Sequence, residues 1–333
     1  MISPLSVSTT LSSIPTPARA IAYMAIAAVL FVSMHTIVRG MSGELHPFEI
    51  AFFRAFLGIF VLAPLVLRDR GASFRTKNIK LHALRGVLNA GAMLSFFYGL
   101  SITPLAQVTA LGFSAPLFAT VLAVFVLGEV VRARRWTAIA IGFIGTLIIL
   151  RPGVIEVGIG PILIVASAAI WSVALMVIKV MTRTDSSVTI SLYASIFLSP
   201  IVLLAALPFW DWPSGEQLAR MFVLATFGTV AQTLMNQSLK LADTSVVLPV
   251  DFTKLIWAAL LGFLVFGEVP DIYTWTGGLL IFASTTYIAI RESRLKRERK
   301  PARGLELEEK PDPLVDDCLA VDDSPAAGDK PRP

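Results

Sequence analysis

Residues 128–137 read GEVVRARRWT and residues 267–276 read GEVPDIYTWT. The two stretches lie 139 residues apart, with Gly-Glu-Val and Trp-Thr in register and no gap between them. The frame continues outside the motif, where Leu100, Val108, Phe113, Phe143 and Thr146 recur as Leu239, Val247, Phe252, Phe282 and Thr285. Apolar stretches resemble one another by composition alone, but composition does not put rare Trp and Glu into a common ungapped register. The chain reads as a duplication. Its two copies are charged differently, because Arg132, Arg134 and Arg135 follow Glu129 whereas Asp271 and no Lys or Arg follow Glu268. Lys and Arg gather on the cytoplasmic side of membrane segments, so the same motif is dressed for opposite faces of a bilayer.

Composition supports a membrane setting. Of 333 residues, 55% are hydrophobic and 15% charged, against roughly 45 to 50% and about 25% in ordinary soluble domains. The uncharged runs predict ten spans, at 21–38, 50–67, 86–102, 105–127, 136–150, 159–178, 188–209, 221–239, 245–266 and 272–290, and only Arg54, Asp251 and Lys254 interrupt them. Continuous apolarity calls for helices, since a barrel strand alternates. With a cytoplasmic N-terminus, 23 Lys and Arg fall inside and three, Arg39, Arg151 and Arg220, fall outside, a bias that sets the orientation. An even number of spans returns the C-terminus to the cytoplasm.

The expected fold is an all-α polytopic membrane protein of ten transmembrane helices. Five spans per copy, an odd number, makes the copies two inverted five-helix repeats. The first and sixth spans also pair at an offset of 140, Phe31 with Trp171 and Arg39 with Lys179. Four regions follow: a cytoplasmic N-terminal segment (1–20), the first repeat (21–150), the second (151–290) and a cytoplasmic tail (291–333). The tail is basic over 291–303, as suits a stop-transfer anchor against anionic lipid. It then turns acidic and Pro-rich, and is expected to be disordered. All but two of the 28 Lys and Arg lie in loops and terminal segments outside the apolar runs and not on one folded surface, which excludes a nucleic-acid partner. One thiol, Cys318, builds neither a disulfide framework nor a metal site. The first run is too long for a signal core and reads as a retained helix.

Two five-helix repeats, each closing with an apolar helix, a Gly-Glu turn and a final helix with Trp near its start, resemble the drug/metabolite transporter superfamily, EamA family, over about residues 20–292. Within that group the segment from Leu45 to Arg54, LHPFEIAFFR, and the stretches at Tyr98-Gly99-Leu100 and Pro116-Leu117-Phe118 resemble bacterial S-adenosylmethionine uptake carriers. The match does not extend to Asp251 and Lys254. The resemblance implies a carrier in the inner (plasma) membrane, with a small-molecule substrate and the lipid bilayer as its partners. A second copy of the chain is a further candidate partner.

Charged residues inside spans are expensive and face cavities or partners. Asp251 and Lys254, three apart on one helix face, are candidates for substrate contact or for an ion pair that locks helices. Arg54 offers a fixed cation to an anionic group, or snorkels to the near surface. Asn89, Gln232 and Asn236 are candidate hydrogen-bonding residues, the last two sharing a face at a spacing of four, and either ligand or neighbouring helices can take those bonds. Trp171 is a candidate stacking surface, with packing as the commoner use. His35 and Asp251 are weak candidates for proton coupling, His35 because its ordinary pKa lies near neutrality. Glu129 and Glu268 read as turn and helix-end residues, and Pro116 and Pro249 as interruptions of the fourth and ninth helices.

A secondary transporter is the function this pattern favours. It would move a small organic metabolite, such as S-adenosylmethionine, an amino acid or a related compound, by alternating access. An exporter of metabolites or drugs in the same fold is the alternative, ahead of a channel or an intramembrane enzyme. There is no Gly-x-x-x-x-Gly-Lys phosphate loop, no filter motif and no nucleophile-base or metal-ligand constellation. Neither a catalytic residue, a metal nor a cofactor is expected.

Overall fold

The computed structural model describes residues 16–69, 71–127, 133–153, 156 and 158–305. Glu129 with the rest of the first Gly-Glu turn, residues 1–15, and the tail from residue 306 with Cys318 lie outside the described residues. The chain divides into two units, Met1–Ile290 and Arg291–Pro333. The helices, in chain order, are α1 (Thr16–Met41), α2 (Pro47–Arg68), α3 (Ile79–Ser101), α4 (Leu105–Gly112), α5 (Ala115–Leu127), α6 (Ala133–Leu150) and α7 (Ile159–Met181), followed by α8 (Ser187–Ala206), α9 (Gly215–Leu241), α10 (Thr244–Asp251), α11 (Thr253–Phe266) and α12 (Ile272–Leu305). The basic segment of the tail, as far as Leu305, is the C-terminal part of α12 and is helical.

Among the described residues, seven segments are long and apolar enough to cross a membrane: Thr16–Met41, Pro47–Arg68, Leu105–Leu122, Ile159–Met181, Ser187–Phe209, Gly215–Leu241 and Val246–Phe266. Trp136–Leu150 is apolar but shorter. Ten uncharged runs therefore yield seven segments that qualify by length and hydropathy. The run at 86–102 is part of a longer helix that also carries Lys80, His82 and Arg85, and the run at 272–290 belongs to a helix that continues into the basic segment.

The bundle is apolar on its outside as well as in its core. Large apolar side chains are exposed on its outside, among them Phe60 at 56%, Leu204 at 69%, Phe263 at 56% and Leu264 at 66%. Polar and small residues are buried within, including Ser172, Asn236 and Ser238 at 0%. Exposed apolar surface on this scale is lipid-facing, while small and hydroxylated residues let helices approach closely in a bilayer. At the α6–α12 crossing a β-carbon on Gly145 would fall 2.7 Å from the Gly277 carbonyl oxygen, and one on Gly277 would fall 2.5 Å from that of Gly145. Only glycine fits at either position.

The fourth and ninth spans are each broken in two, and proline accounts for the break in the fourth. Pro116 cannot donate to the Gly112 carbonyl and its ring crowds it, so α4 stops at Gly112 and α5 restarts at Ala115, with the Ser114 carbonyl accepting from Leu117 N and Phe118 N. Pro249 lies inside α10, and the chain breaks three residues later at Phe252. The breaks occur at equivalent positions of the two copies, and Phe113 and Phe252 touch there with ring centroids 4.0 Å apart. The glycine of the second Gly-Glu motif ends α11 in the left-handed region at φ +68°. Gly267 N donates to the Phe263 carbonyl and Glu268 N to that of Gly262, the paired bonds of a Schellman cap. Glu268 then accepts from Leu105 N at the start of α4 and pairs with Arg39, so its role is at a helix end.

Packing between the copies comes in matched pairs. α1 packs on α9 as α7 packs on α3, α3 packs on α8 as α9 packs on α2, and α2 packs on α8. The α1–α9 and α3–α7 contacts run antiparallel. Along α1 and α9, Ser238 Oγ donates to the Ala20 carbonyl and Arg220 pairs with Glu44 beyond the other end. Along α3 and α7, Gly99 abuts Gly160 at one end, and beyond the other end His82 meets Asp185. Gly99 and Ser238 are 139 residues apart, Ala20 and Gly160 are 140 apart, and the same contact is made twice.

Candidate functional site

The unusual polar groups converge on one face of α3. Arg85, Asn89, Met93 and Phe96 recur at helical spacings of four, four and three, so they form one stripe. From α2, Arg54 turns into the bundle. Its Nη1 donates to Met93 Sδ at 3.4 Å, and a β-carbon on Gly228 of α9 would fall 2.9 Å from its Nε. The snorkelling reading is thereby corrected: with its Nε buried between α3 and α9, Arg54 does not reach for the near surface. From α1, His35 lies over Phe96 with ring centroids 4.8 Å apart, and Phe31 stacks one turn away at 6.3 Å. Lys254 of α11 places its Nζ 4.7 Å from the Phe31 ring centroid and 2.5 Å from Asp251 Oδ1. The i, i+3 pair read from the sequence thus spans the break between α10 and α11 and closes this side of the cluster.

Several polar atoms in the cluster are buried and, among the described residues, have no hydrogen-bond partner. They are His35 Nδ1, Arg54 Nε, Asn89 Oδ1 and Arg85 Nε and Nη2. Each such group costs about 1 to 3 kcal/mol, more when charged, and native interiors leave few of them. Here they lie on three neighbouring helices, α1, α2 and α3.

On α9, Gly228, Gln232 and Asn236 form a second stripe at spacings of four. Gln232 Nε2 donates to Asn236 Oδ1 at 3.1 Å, and Asn236 Nδ2 donates to Ser191 Oγ of α8 at 3.1 Å. Asn236 is committed to packing α9 against α8. Gln232 lies one turn from the Gly228 contact with Arg54. Trp171, half-buried on α7 at the position equivalent to Phe31, is joined to the cluster by no ring contact among the described residues.

Arg85 is the residue that uncharged runs miss. The count of Lys and Arg places it in a cytoplasmic loop, whereas it is fully buried in α3 and donates through Nη1 to the Ile190 carbonyl of α8 at 2.5 Å. It falls just before an apolar run, where composition alone groups it with the loop. Its spacing of four from Asn89 is the signal that would have found it.

Polar contacts also gather at each end of the bundle. Glu44, in the turn between α1 and α2, accepts from Arg220 Nη1 and Nη2 at 2.9 and 2.8 Å and from Gln217 Nε2 at 3.0 Å. The Arg220 guanidinium, then the Gln217 amide, hold its carboxyl below the usual range. His46 caps α2 and stacks on Phe209 at 4.0 Å, and burial lowers its pKa. A shallow, open depression of about 530 Å³ lies here, lined by residues 42–47 and 208–211. At the opposite end Asp185, between α7 and α8, accepts from Thr76 Oγ1 and lies 3.0 Å from His82 Nε2.

Lipid-facing apolar helices around a buried polar cluster define a multi-pass membrane protein of the transporter class. The chain belongs to the EamA-like transporter family, whose model matches residues 18–151 and again 158–290. It is 31% identical to an S-adenosylmethionine uptake transporter of Rickettsia felis over 75% of this chain and 85% of that protein. It is 32% identical to a riboflavin transporter of Rhizobium johnstonii over 86% of this chain and 96% of that protein. A crystal structure at 18% identity superposes with a TM-score of 0.59, covering 82% of this chain and 97% of the other, and it shares the fold. The two family matches correspond to the duplicated halves, and no enzymatic function is indicated by these relatives.

Proposed function

We propose that the protein is a secondary carrier that takes up a small organic metabolite across the inner membrane. Its substrate would bind among Arg54, Asn89, His35 and the Asp251–Lys254 pair, with Gln232 at one edge. Asn236 braces the α9 wall, and Trp171 lies on the opposite half in the place Phe31 occupies here. The observation that carries this reading is the set of buried, unpartnered polar atoms on α1, α2 and α3, groups a ligand would satisfy. The antiparallel contact made twice, α1 on α9 and α7 on α3, the matched breaks at Phe113 and Phe252, and the loop charges support ten crossings in two inverted halves with both termini in the cytoplasm. In such an arrangement the halves rock about a central site. The names of the two relatives direct attention to S-adenosylmethionine and riboflavin as first substrates to test.

Counterflow in proteoliposomes tests the proposal with S-adenosylmethionine, riboflavin, amino acids and nucleosides. The expected result is saturable exchange of at least one compound, abolished by Arg54→Gln. Linear, unsaturable flux would indicate a channel, and chemical alteration of the compound would indicate an enzyme.

A further inference from the structure

Two guanidinium groups lie in the bundle without a carboxylate. Among the described residues neither Arg54 nor Arg85 forms an ion pair. Asp251 is paired with Lys254, and Asp185 with His82. Arg54 spends one donor on a thioether, a weak acceptor, and Arg85 spends one on a backbone carbonyl. The Nε atoms of both, and Nη2 of Arg85, are buried and unpartnered. Met93, which Arg54 contacts, lies about two turns from Arg85 on the same face of α3. Asn89, one turn beyond Arg85 on the same stripe, lies between Arg85 and the Met93 contact of Arg54.

Packing alone does not explain this arrangement. A helix brace needs one donor to a carbonyl, which an uncharged side chain supplies without a buried charge. A planar fork of donors matches carboxylate and phosphate geometry. Neutral ligands would leave both charges uncompensated.

We propose that Arg54 and Arg85 together form an anion subsite, so that the transported metabolite carries a carboxylate or phosphate group that binds between α2 and α3. This inference rests on the carrier reading and narrows its substrate class. S-adenosylmethionine carries a carboxylate; riboflavin does not, whereas its 5′-phosphate carries the required anion.

The test uses the full chain in lipid nanodiscs and measures binding of matched probes: S-adenosylmethionine against its methyl ester, riboflavin 5′-phosphate against riboflavin, and inorganic phosphate and acetate alone. The member of at least one pair that carries the free carboxylate or phosphate is expected to bind about tenfold or more tightly than the partner that lacks it, the scale of a charge-assisted hydrogen bond. Arg85→Gln and Arg54→Gln should each collapse that ratio, and Arg85→Lys should retain part of it. Equal or tighter binding of the members that lack the free carboxylate or phosphate overturns the proposal in the wild-type protein, so it does not depend on whether the variants fold. So does failure of every anion, small or large, to bind. Counterflow of riboflavin with no preference for its phosphate would overturn the subsite and leave the carrier standing. Anion binding without counterflow of any compound would do the reverse.

Discussion

Gly228→Ala separates the proposed site from the packing around it. The new β-carbon would fall 2.5 Å from Met34 Sδ and 2.9 Å from Arg54 Nε, where ordinary contact begins at 3.4 Å. The Met34 thioether ends a flexible side chain and can swing aside. Arg54 is held on its other side by Met93, so its guanidinium must move by half an ångström or more. A hydrogen bond to a charged group contributes about 1.5 to 3 kcal/mol, and losing half of it weakens binding by roughly a factor of ten at the upper end. The helix itself gains, because alanine is favoured over glycine by about 1 kcal/mol in a helix interior. The expected phenotype is a half-saturation constant raised about tenfold with an unchanged or higher melting temperature. Gly58→Ala is the control, since its β-carbon would meet Thr229 Oγ1 at 2.6 Å rather than Arg54, and it should lower stability with little effect on affinity. Counterflow kinetics and thermal melting of the purified proteins read both quantities. Wild-type affinity in a folded Gly228→Ala protein would refute the placement of substrate at Arg54.

Three further outcomes follow from the geometry. Lys254→Met leaves the Asp251 carboxylate unpaired and should destabilise by about 3 to 5 kcal/mol, while Lys254→Met with Asp251→Asn recovers most of that loss; retained transport kinetics in the correctly inserted double variant would remove both residues from the site. Gly277→Ala drives a β-carbon against the Gly145 backbone, which has no side-chain freedom, and should cost about 1 to 3 kcal/mol, read as reduced yield of monodisperse protein. Glu44 has its pKa lowered by Arg220 and Gln217, so its stabilising pairing is complete above the ordinary glutamate pKa and is lost as pH falls through the lowered value. Wild type should therefore melt above Glu44→Gln at pH 7, with the gap closing below about pH 4.

The fold was legible wherever hydropathy and register carry it. Ten apolar runs, the duplication and the proline interruptions are all visible in the chain, because helices in lipid must be continuously apolar. Helix ends were less so. Arg85 and Arg39 fall at the margins of uncharged runs, where composition cannot distinguish a loop cation from a helical one that turns inward. The break in the ninth span was expected near Pro249 and occurs at Phe252, where contact with Phe113 joins the equivalent position of the other copy. That Gln232 and Asn236 share a face followed from their spacing. That they bond each other and Ser191 depends on α8, which no local pattern reports.

Thiol labelling at Asn89 tests alternating access to the cluster most directly. In a Cys318→Ser background, which removes the chain's one cysteine, Asn89→Cys can be probed with a membrane-impermeant reagent applied to either face of oriented vesicles. Alternating access gives labelling from both faces, slowed from both by saturating transported substrate. Labelling from one face only, or from neither, would place Asn89 in a static interior and contradict it.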